Sequence, residues 1–314
     1  MGDVLLTTPV IRALATQKSA EVHIITKALY QPLLADNDYI TKVWKYESTS
    51  VNDLRSEEFD HLVDLQGNLR SIRLKLSLGF MSPSYDKERL TTWRYLSSKD
   101  TRFQPTHVLD RYFGAASEFD LNYDGQGLDL NTDKLKVATQ KETQLRNVAI
   151  VMGGTYVTKR LPQPLIANIC SRVDYRFILL GGKDVDLKDE HYSDNVTNMV
   201  GQTSIVESLE ILRNVDLVVT GDTGMMHASA ALNKAMIVVW GSTSLEMGFS
   251  PVYPEGRRRF YRNVILSLSC QPCSKYGRPA CPYGHMDCLN AVKEDELIEL
   301  IDEGLKDKIT QDID

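Results

Sequence analysis

The sequence predicts an α/β protein built of two doubly wound parallel-sheet domains facing each other across a cleft. Three observations lead there. Strand-like and helix-like segments alternate along nearly the whole chain, in two successive series separated by a polar stretch at 122–136. Runs such as 148–152 (VAIVM) and 235–240 (AMIVVW) are apolar throughout, as parallel strands buried on both faces are. Glycine follows the strand-like runs at Gly67, Gly153, Gly181 and Gly221, at the carboxyl edge where such sheets hold ligands.

Taken in order, residues 1–4 lead at once into LLTTPVIRAL, with Leu5, Leu6, Val10, Ile11 and Leu14 at helical spacing and Pro9 placed for a first turn after Thr7 or Thr8. A turn and helix therefore come first, without the strand that should feed them. Segments 21–27, 42–46 and 61–66 read as strands, with helices at 29–36, 51–57 and from 69 to about 76. Residues 86–97 and 107–116 look helical. The second series has strands at 148–152, 176–180, 196–200, 216–220 and 235–240, and helices at 163–173, 204–214 and 225–232. A further strand is expected at 264–269 and a final helix at about 294–306, crossing back to the first domain. The predicted domains are 1–130 and 131–314.

The stretch 215–240 organises this reading. After its first strand, the turn Gly221-Asp222-Thr223-Gly224 delivers the free N–H groups and the positive dipole end of a small-residue helix to one point, which suits a diphosphate beside Asp222 and His227. On local pattern alone, Asp222 or Thr223 serves as well for a helix cap and His227 for a core histidine. No G-x-G-x-x-G and no G-x-x-x-x-G-K-[ST] occurs, which disfavours dinucleotide dehydrogenases and P-loop enzymes.

With 314 residues, 42% hydrophobic and 25% charged, the chain suffices for two ordinary domains. No apolar run approaches the ~20 residues of a membrane span, and no signal sequence is read, so a cytoplasmic location is expected. The formal charge of -6 disfavours general nucleic-acid binding. Residues 68–111 nevertheless carry nine Lys/Arg against four Asp/Glu, enough to hold an anionic partner.

Three motifs carry a family resemblance: GDVLLTTPVIRAL at 2–14, DLQGNLRS at 64–71 and GDTGMMHASAAL at 221–232, with TKRLP at 158–162 in the same order. Together they resemble the family 9 glycosyltransferases, the ADP-heptose:lipopolysaccharide heptosyltransferases. The resemblance implies a GT-B architecture, an acceptor held by the first half and a nucleotide-sugar by the second. It further implies inverting, metal-independent transfer of heptose from ADP-heptose to a lipopolysaccharide inner-core acceptor, with no cofactor required. Family members usually have a first strand ahead of the Gly-Asp pair. Its apparent absence leads us to expect a longer natural protein, a disturbed first domain and a misplaced Asp3.

Carried over by motif, Asp3 matches the catalytic base and Lys159 the lysine that meets the donor phosphates, with Arg160 as its possible substitute. Thr155 is placed to donate to those phosphates. Asp222, Thr223, Gly224 and His227 match the donor loop. Asp184, or equally Asp186, matches an acidic residue for the ribose, and Thr203 and Ser204 either line the adenine pocket or cap a helix. Arg70 and Ser71 match the acceptor segment, to which Arg73, Lys87, Arg89 and Arg94 would add charge. A basic aromatic patch at Arg257, Arg258, Arg259 and Arg262 is a candidate for peripheral contact with the inner membrane.

Cys270, Cys273, Cys281 and Cys288 cluster within 19 residues, at spacings x2, x7 and x6. A structural zinc with His285 as spare ligand is one reading, and free or redox-paired thiols are the other. Two rivals complete the expectations: a nucleotide-sugar 2-epimerase on the same scaffold, and a non-catalytic nucleotide-binding protein.

Overall fold

The structure, a computed structural model, describes residues 1–131, 146–187, 192–256 and 259–311. The chain divides into two compact units between Asn131 and Thr132.

In the first unit, a helical turn α1 (Gly2–Leu5) precedes α2 (Thr8–Lys18), which starts after Thr7 with Pro9 in its first turn and buries Val10, Ile11 and Ala13. Proline suits that place because its missing N–H is one the first turn leaves unbonded anyway. Strands β1 (His23–Thr26) and β2 (Lys42–Lys45) pair in parallel from His23–Lys42 to Thr26–Lys45. The expected helix between them is a 3-10 segment, Ala28–Leu33, with Pro32 inside it. Helix α3 (Val51–Arg55) is capped reciprocally by Ser50 and Asp53. Helices α4 (Leu69–Ser77), α5 (Arg89–Ser98) and α6 (Val108–Ala115) follow.

The strand expected at 61–66 is not formed; a single parallel bridge, Asp64 with Ser84, stands in its place. The reason is the Asp64 side chain. Its carboxylate accepts from the Gln66 and Gly67 N–H groups and from the Ser71 and Ser84 hydroxyls, which turns the chain just where a strand would continue. Burial by itself would raise the Asp64 pKa; these donors outweigh it and hold the group below the ordinary carboxylate value.

The polar stretch read as a linker is, up to residue 131, a clasp. Buried Arg12 on α2 donates to Asp124 at 2.7 and 2.8 Å and to the Gly127 carbonyl at 2.9 Å, and it also pairs with Asp129. The remainder of that stretch, 132–136, lies outside the described residues.

The second unit is regular. Strands β3 (Asn147–Val151), β4 (Arg176–Leu180), β5 (Val196–Asn198), β6 (Leu217–Gly221), β7 (Ala235–Val239) and β8 (Tyr261–Val264) make one parallel sheet in the order β5-β4-β3-β6-β7-β8. Helices α7 (Gln163–Arg172), α8 (Ile205–Asn214) and α9 (Gly224–Ala231) provide crossovers, followed by α10 (Asp287–Asn290) and α11 (Glu294–Gln311). All five residues of β6 and of β7 are buried, which is why both read as unbroken apolar runs.

Two expectations fail here. The last strand is Tyr261–Val264, not 264–269: Trp240 Nε1 bonds Asn263 Oδ1 at 2.8 Å and fixes the register with β7, while Ser267 sits at φ +51°, outside extended backbone. The final helix stays with its own unit. Leu297, Ile301 and Leu305 repeat every fourth position and are buried in the same core as β6 and β7 residues, so the apolar stripe is spent on this sheet.

Candidate functional site

The order of the second sheet reverses between β3 and β6, the place where a doubly wound sheet opens a crevice at its carboxyl edge. Four adjacent strands end in glycine there: Gly181 after β4, Gly153 after β3, Gly221 closing β6 and Gly241 after β7. At two of them no side chain fits. A Cβ on Gly221 would stand 2.3 Å from the Lys159 carbonyl oxygen, and one on Gly241 would stand 2.1 Å from that of Thr158. The backbone of Thr158 and Lys159 thus lies directly on the ends of β6 and β7.

That strip is fastened from two later segments. The Ser242 N–H donates to Thr158 O at 2.9 Å and the Ser242 hydroxyl to Thr158 Oγ1 at 2.8 Å. Thr158 Oγ1 in turn donates to Arg278 O at 3.0 Å and accepts from Arg278 N at 2.8 Å. Gly277, at φ +98°, leaves room for the Lys159 stem, since a Cβ there would meet Lys159 Cδ at 2.7 Å.

Held in this way, Lys159 Nζ lies 2.9 Å from Asp222 Oδ2, with side-chain exposures of 13% and 9%. A pair this enclosed meets little solvent screening. Thr223 lies against Gly154, whose Cβ would be 3.5 Å from Thr223 Cγ2, and Gly224 opens α9. The ends of β3 and β6 therefore bring Gly154, Lys159, Asp222, Thr223 and Gly224 together. His227 is buried one turn into α9, and Thr155 is exposed just beyond Gly154.

Other sequence candidates have identifiable partners. Arg160 turns away from Asp222: its Nε donates to Gly154 O at 2.7 Å, its Nη1 to Asp184 O at 3.0 Å, and its Nη2 pairs with the Asp184 carboxylate. Arg160 and Asp184 thus bond each other, as Lys159 and Asp222 do. Asp186 is exposed nearby. Ser204 caps α8 in a reciprocal box with Glu207, and Thr203 Oγ1 lies 2.8 Å from Ser208 Oγ.

In the first unit, Asp3 is exposed on α1. Arg70 is exposed over the Tyr46 ring, while the Ser71 hydroxyl is taken up by Asp64 and the Asn68 cap. Of the nine cations in 68–111, Lys75 binds Ser84 Oγ, Arg102 pairs with Asp100 and Arg111 lies 3.7 Å from Glu88; Arg70, Arg73, Arg89 and Arg94 remain at the surface. Arg257 and Arg258 lie outside the described residues. Arg262 is exposed over the Phe260 ring, with Arg259 half-buried beside it.

The four clustered cysteines are free thiols lining one small pocket with Thr158, Ser242 and Gln271. Among the described residues no three His, Cys, Asp or Glu side chains form a group that could hold a metal ion, so the zinc reading gains no support from this geometry. The thiols differ in character. Burial, with the charges of Cys273, Cys270 and Cys281, pushes Cys288 up to about 11. Burial also acts to raise Cys281, but the backbone N–H groups of Met286, Tyr283, Gly284 and His285 prevail and lower it. His285 Nδ1 accepts from the Asp287 N–H at 3.0 Å.

Sequence reasoning missed Thr158, which carries the fastening, and the run Ser242, Thr243, Ser244 behind β7, all three buried. A signal was present: Gly-Ser-Thr-Ser after β7 repeats the glycine-then-small-polar pattern of Gly-Gly-Thr after β3 and Gly-Asp-Thr-Gly after β6.

The family model described as Glycosyltransferase family 9 (heptosyltransferase) matches residues 50–283. The lipopolysaccharide heptosyltransferase 1 of Campylobacter coli is 22% identical over 96% of each chain. Two solved structures share the fold across both units: E. coli ADP-heptose lps heptosyltransferase II, with TM-score 0.68, 15% identity and coverage of 98% of this chain and 96% of that one, and E. coli heptosyltransferase WaaC with ADP, with TM-score 0.65, 14% identity and 96% of each chain. The class is thus that of a glycosyltransferase with the α/β, parallel-sheet fold of the GT-B heptosyltransferases. The chain belongs to glycosyltransferase family 9, the heptosyltransferases.

Proposed function

We propose that this heptosyltransferase moves heptose from ADP-heptose to an inner-core sugar of lipopolysaccharide at the cytoplasmic side of the inner membrane, with inversion at the anomeric carbon and without a metal. The observation that carries the reading is the enclosed Lys159–Asp222 pair at the reversal point of the second sheet, 2.9 Å apart beside the start of α9. The similarity to proteins that bear the names of lipopolysaccharide heptosyltransferases, one of them solved with ADP, supports the substrate class.

In this reading Asp3 takes the proton from the acceptor hydroxyl as its oxygen attacks the anomeric carbon, from the face opposite the diphosphate. The bond from that carbon to the phosphate oxygen breaks and ADP departs with the electron pair. Lys159 and the N–H groups at Thr223 and Gly224 offset the growing charge, and Thr155 adds a hydroxyl donor. Asp222 releases Lys159 to the phosphates and turns to the donor's hydroxyls, with His227 behind it. Arg70 and its exposed neighbours Arg73, Arg89 and Arg94 meet the acceptor's anionic groups.

The test is a calorimetric titration with ADP, UDP and GDP, followed by assay of ADP release from ADP-heptose with an inner-core acceptor. Binding of ADP alone, and an Asp3→Asn variant that still binds ADP but releases none from ADP-heptose, are expected. Preference for UDP or GDP would remove heptose from the reading, and full turnover by Asp3→Asn would remove the base.

A further inference from the structure

Helix α5 inverts the usual arrangement of a surface helix. It buries Thr92 and Tyr95, while Leu90 and Trp93 stand 59% and 64% exposed. Its orientation is fixed at both ends: just ahead of it the Glu88 carboxylate accepts from the Thr106 N–H and hydroxyl, and just after it the Lys99 N–H bonds Tyr95 O. Down the helix axis, at ~100° per residue, Arg89, Trp93, Leu90 and Arg94 follow one another at roughly 0°, 40°, 100° and 140°. All four are exposed, so an apolar centre with a guanidinium on either side meets the solvent.

The preceding helix repeats the pattern. Leu69 and Leu76, seven residues apart and so on one side of α4, are exposed with Arg73 between them. Lys75 of α4 bonds Ser84 Oγ at 2.8 Å, and a Cβ on Gly67, just ahead of α4, would lie 3.6 Å from Cε of Lys87, just ahead of α5. The two helices thus set out from one region of the first unit. With Met81 between them, five large apolar side chains are exposed within residues 69–94, whereas the larger second unit exposes three among its described residues. Single exposed apolar residues are ordinary, but five interleaved with Arg70, Arg73, Arg89 and Arg94 mark a surface that something apolar and anionic covers.

We propose that this face of α4 and α5 docks on an anionic lipid bilayer, with Leu90 and Trp93 entering at the headgroup boundary and the arginines meeting lipid phosphates. Tryptophan suits that boundary because its ring is apolar and its N–H polar; arginine binds phosphate bidentately while its stem lies along apolar surface. A second copy of the chain fits less well, since a like pairing sets Arg89 and Arg94 against their own counterparts. The proposal rests on the reading above only for the choice of membrane, the one that carries the lipopolysaccharide acceptor. The arginines read above as meeting the acceptor then serve at one surface, where acceptor and lipid present anionic groups side by side.

The experiment is co-sedimentation with vesicles of phosphatidylcholine alone and of phosphatidylcholine with phosphatidylglycerol in equal parts, on wild type, Leu90→Ser with Trp93→Ser, and Trp93→Phe. Wild type is expected to sediment with the anionic vesicles only and to be released from them by salt. The double variant is expected to melt as wild type does, both side chains being exposed, and to bind roughly tenfold or more weakly. Tryptophan emission should be quenched by brominated phosphatidylglycerol in wild type and not in Trp93→Phe, which leaves buried Trp240 and half-buried Trp44 as emitters. No sedimentation of wild type, equal binding by the double variant, or quenching that survives Trp93→Phe would overturn the proposal. The assay contains no nucleotide, so the donor-site reading can fail without altering its outcome.

Discussion

Replacing Gly221 by alanine tests the seat of Lys159 most directly. The added methyl carbon would stand 2.3 Å from Lys159 O, where a carbon–oxygen contact needs ~3.3 Å, so the strip over β6 has to move by roughly 1 Å. The carbonyl is backbone and the backbone fixes where the methyl carbon stands, so no rotamer change relieves the contact. Overpacking of this kind costs ~1–3 kcal/mol. In a domain of this size each kcal/mol lowers the melting temperature by about 2–4 °C, which places the variant roughly 2–12 °C below wild type. The same displacement strains the 2.9 Å bond from Ser242 to Thr158 O and draws Lys159 off Asp222, and an ångström of misplacement costs ~100-fold in transfer rate. Differential scanning calorimetry and initial rates of ADP release measure the two effects. Gly114→Ala is the control: it lies in α6 with nothing within 4 Å of its Cβ, and alanine there should be neutral or slightly stabilising. If Gly221→Ala melts and turns over like wild type, the close approach has no energetic meaning and the argument for the strip fails.

Two further outcomes are expected. Lys159→Met leaves the Asp222 carboxylate enclosed and unpaired, at a cost of roughly 3 kcal/mol in urea unfolding; Lys159→Met with Asp222→Leu should regain most of that stability while ADP binding stays lost. A single variant as stable as wild type would show the pair to be solvated. Burial in the second core pushes the Cys170 thiol up to about 12, against ~8.5 in an unfolded chain. Because the folded value is the higher one, the stabilisation is complete below about pH 8.5 and is lost as pH rises toward 12, by ~1.4 kcal/mol per pH unit. Cys170→Ala should show a shallower alkaline decline in urea midpoints, and an unchanged slope would place the thiol in contact with water.

The second sheet was legible because burial on both faces forces unbroken apolar runs, and β3, β4, β6 and β7 each declare themselves within a residue or two. The first unit was harder for a physical reason. At 61–66 the decisive interaction is one side chain, Asp64, gathering four donors from residues 66, 67, 71 and 84, and periodicity carries no trace of such a bond. The final helix misled because its apolar stripe shows that it packs and says nothing of where. Within the site, Lys159 and Asp222 stood out as motif residues, and their pairing follows from the sheet order. Arg160 and Asp184, candidates in the sequence as well, form a second pair whose existence the motif did not reveal. Thr158 stood at the head of the TKRLP motif, but its fastening bonds left no trace in the sequence, since its partners lie 84 and 120 residues further on.

Those separations govern when the protein can work as well as where its lysine sits. A ribosome adds ~5–20 residues per second, so the 120 residues between Thr158 and Arg278 represent roughly 6–24 s of synthesis. For the first 84 residues of that interval the nascent chain displays Lys159 and later Asp222 but neither fastening segment; Ser242 then appears, and Arg278 comes last. A chain released before Arg278 would carry Lys159, Asp222 and the start of α9 and still lack part of the seat of Lys159. The seat of Lys159 is therefore completed late in translation, after both strands that it lies upon have been made.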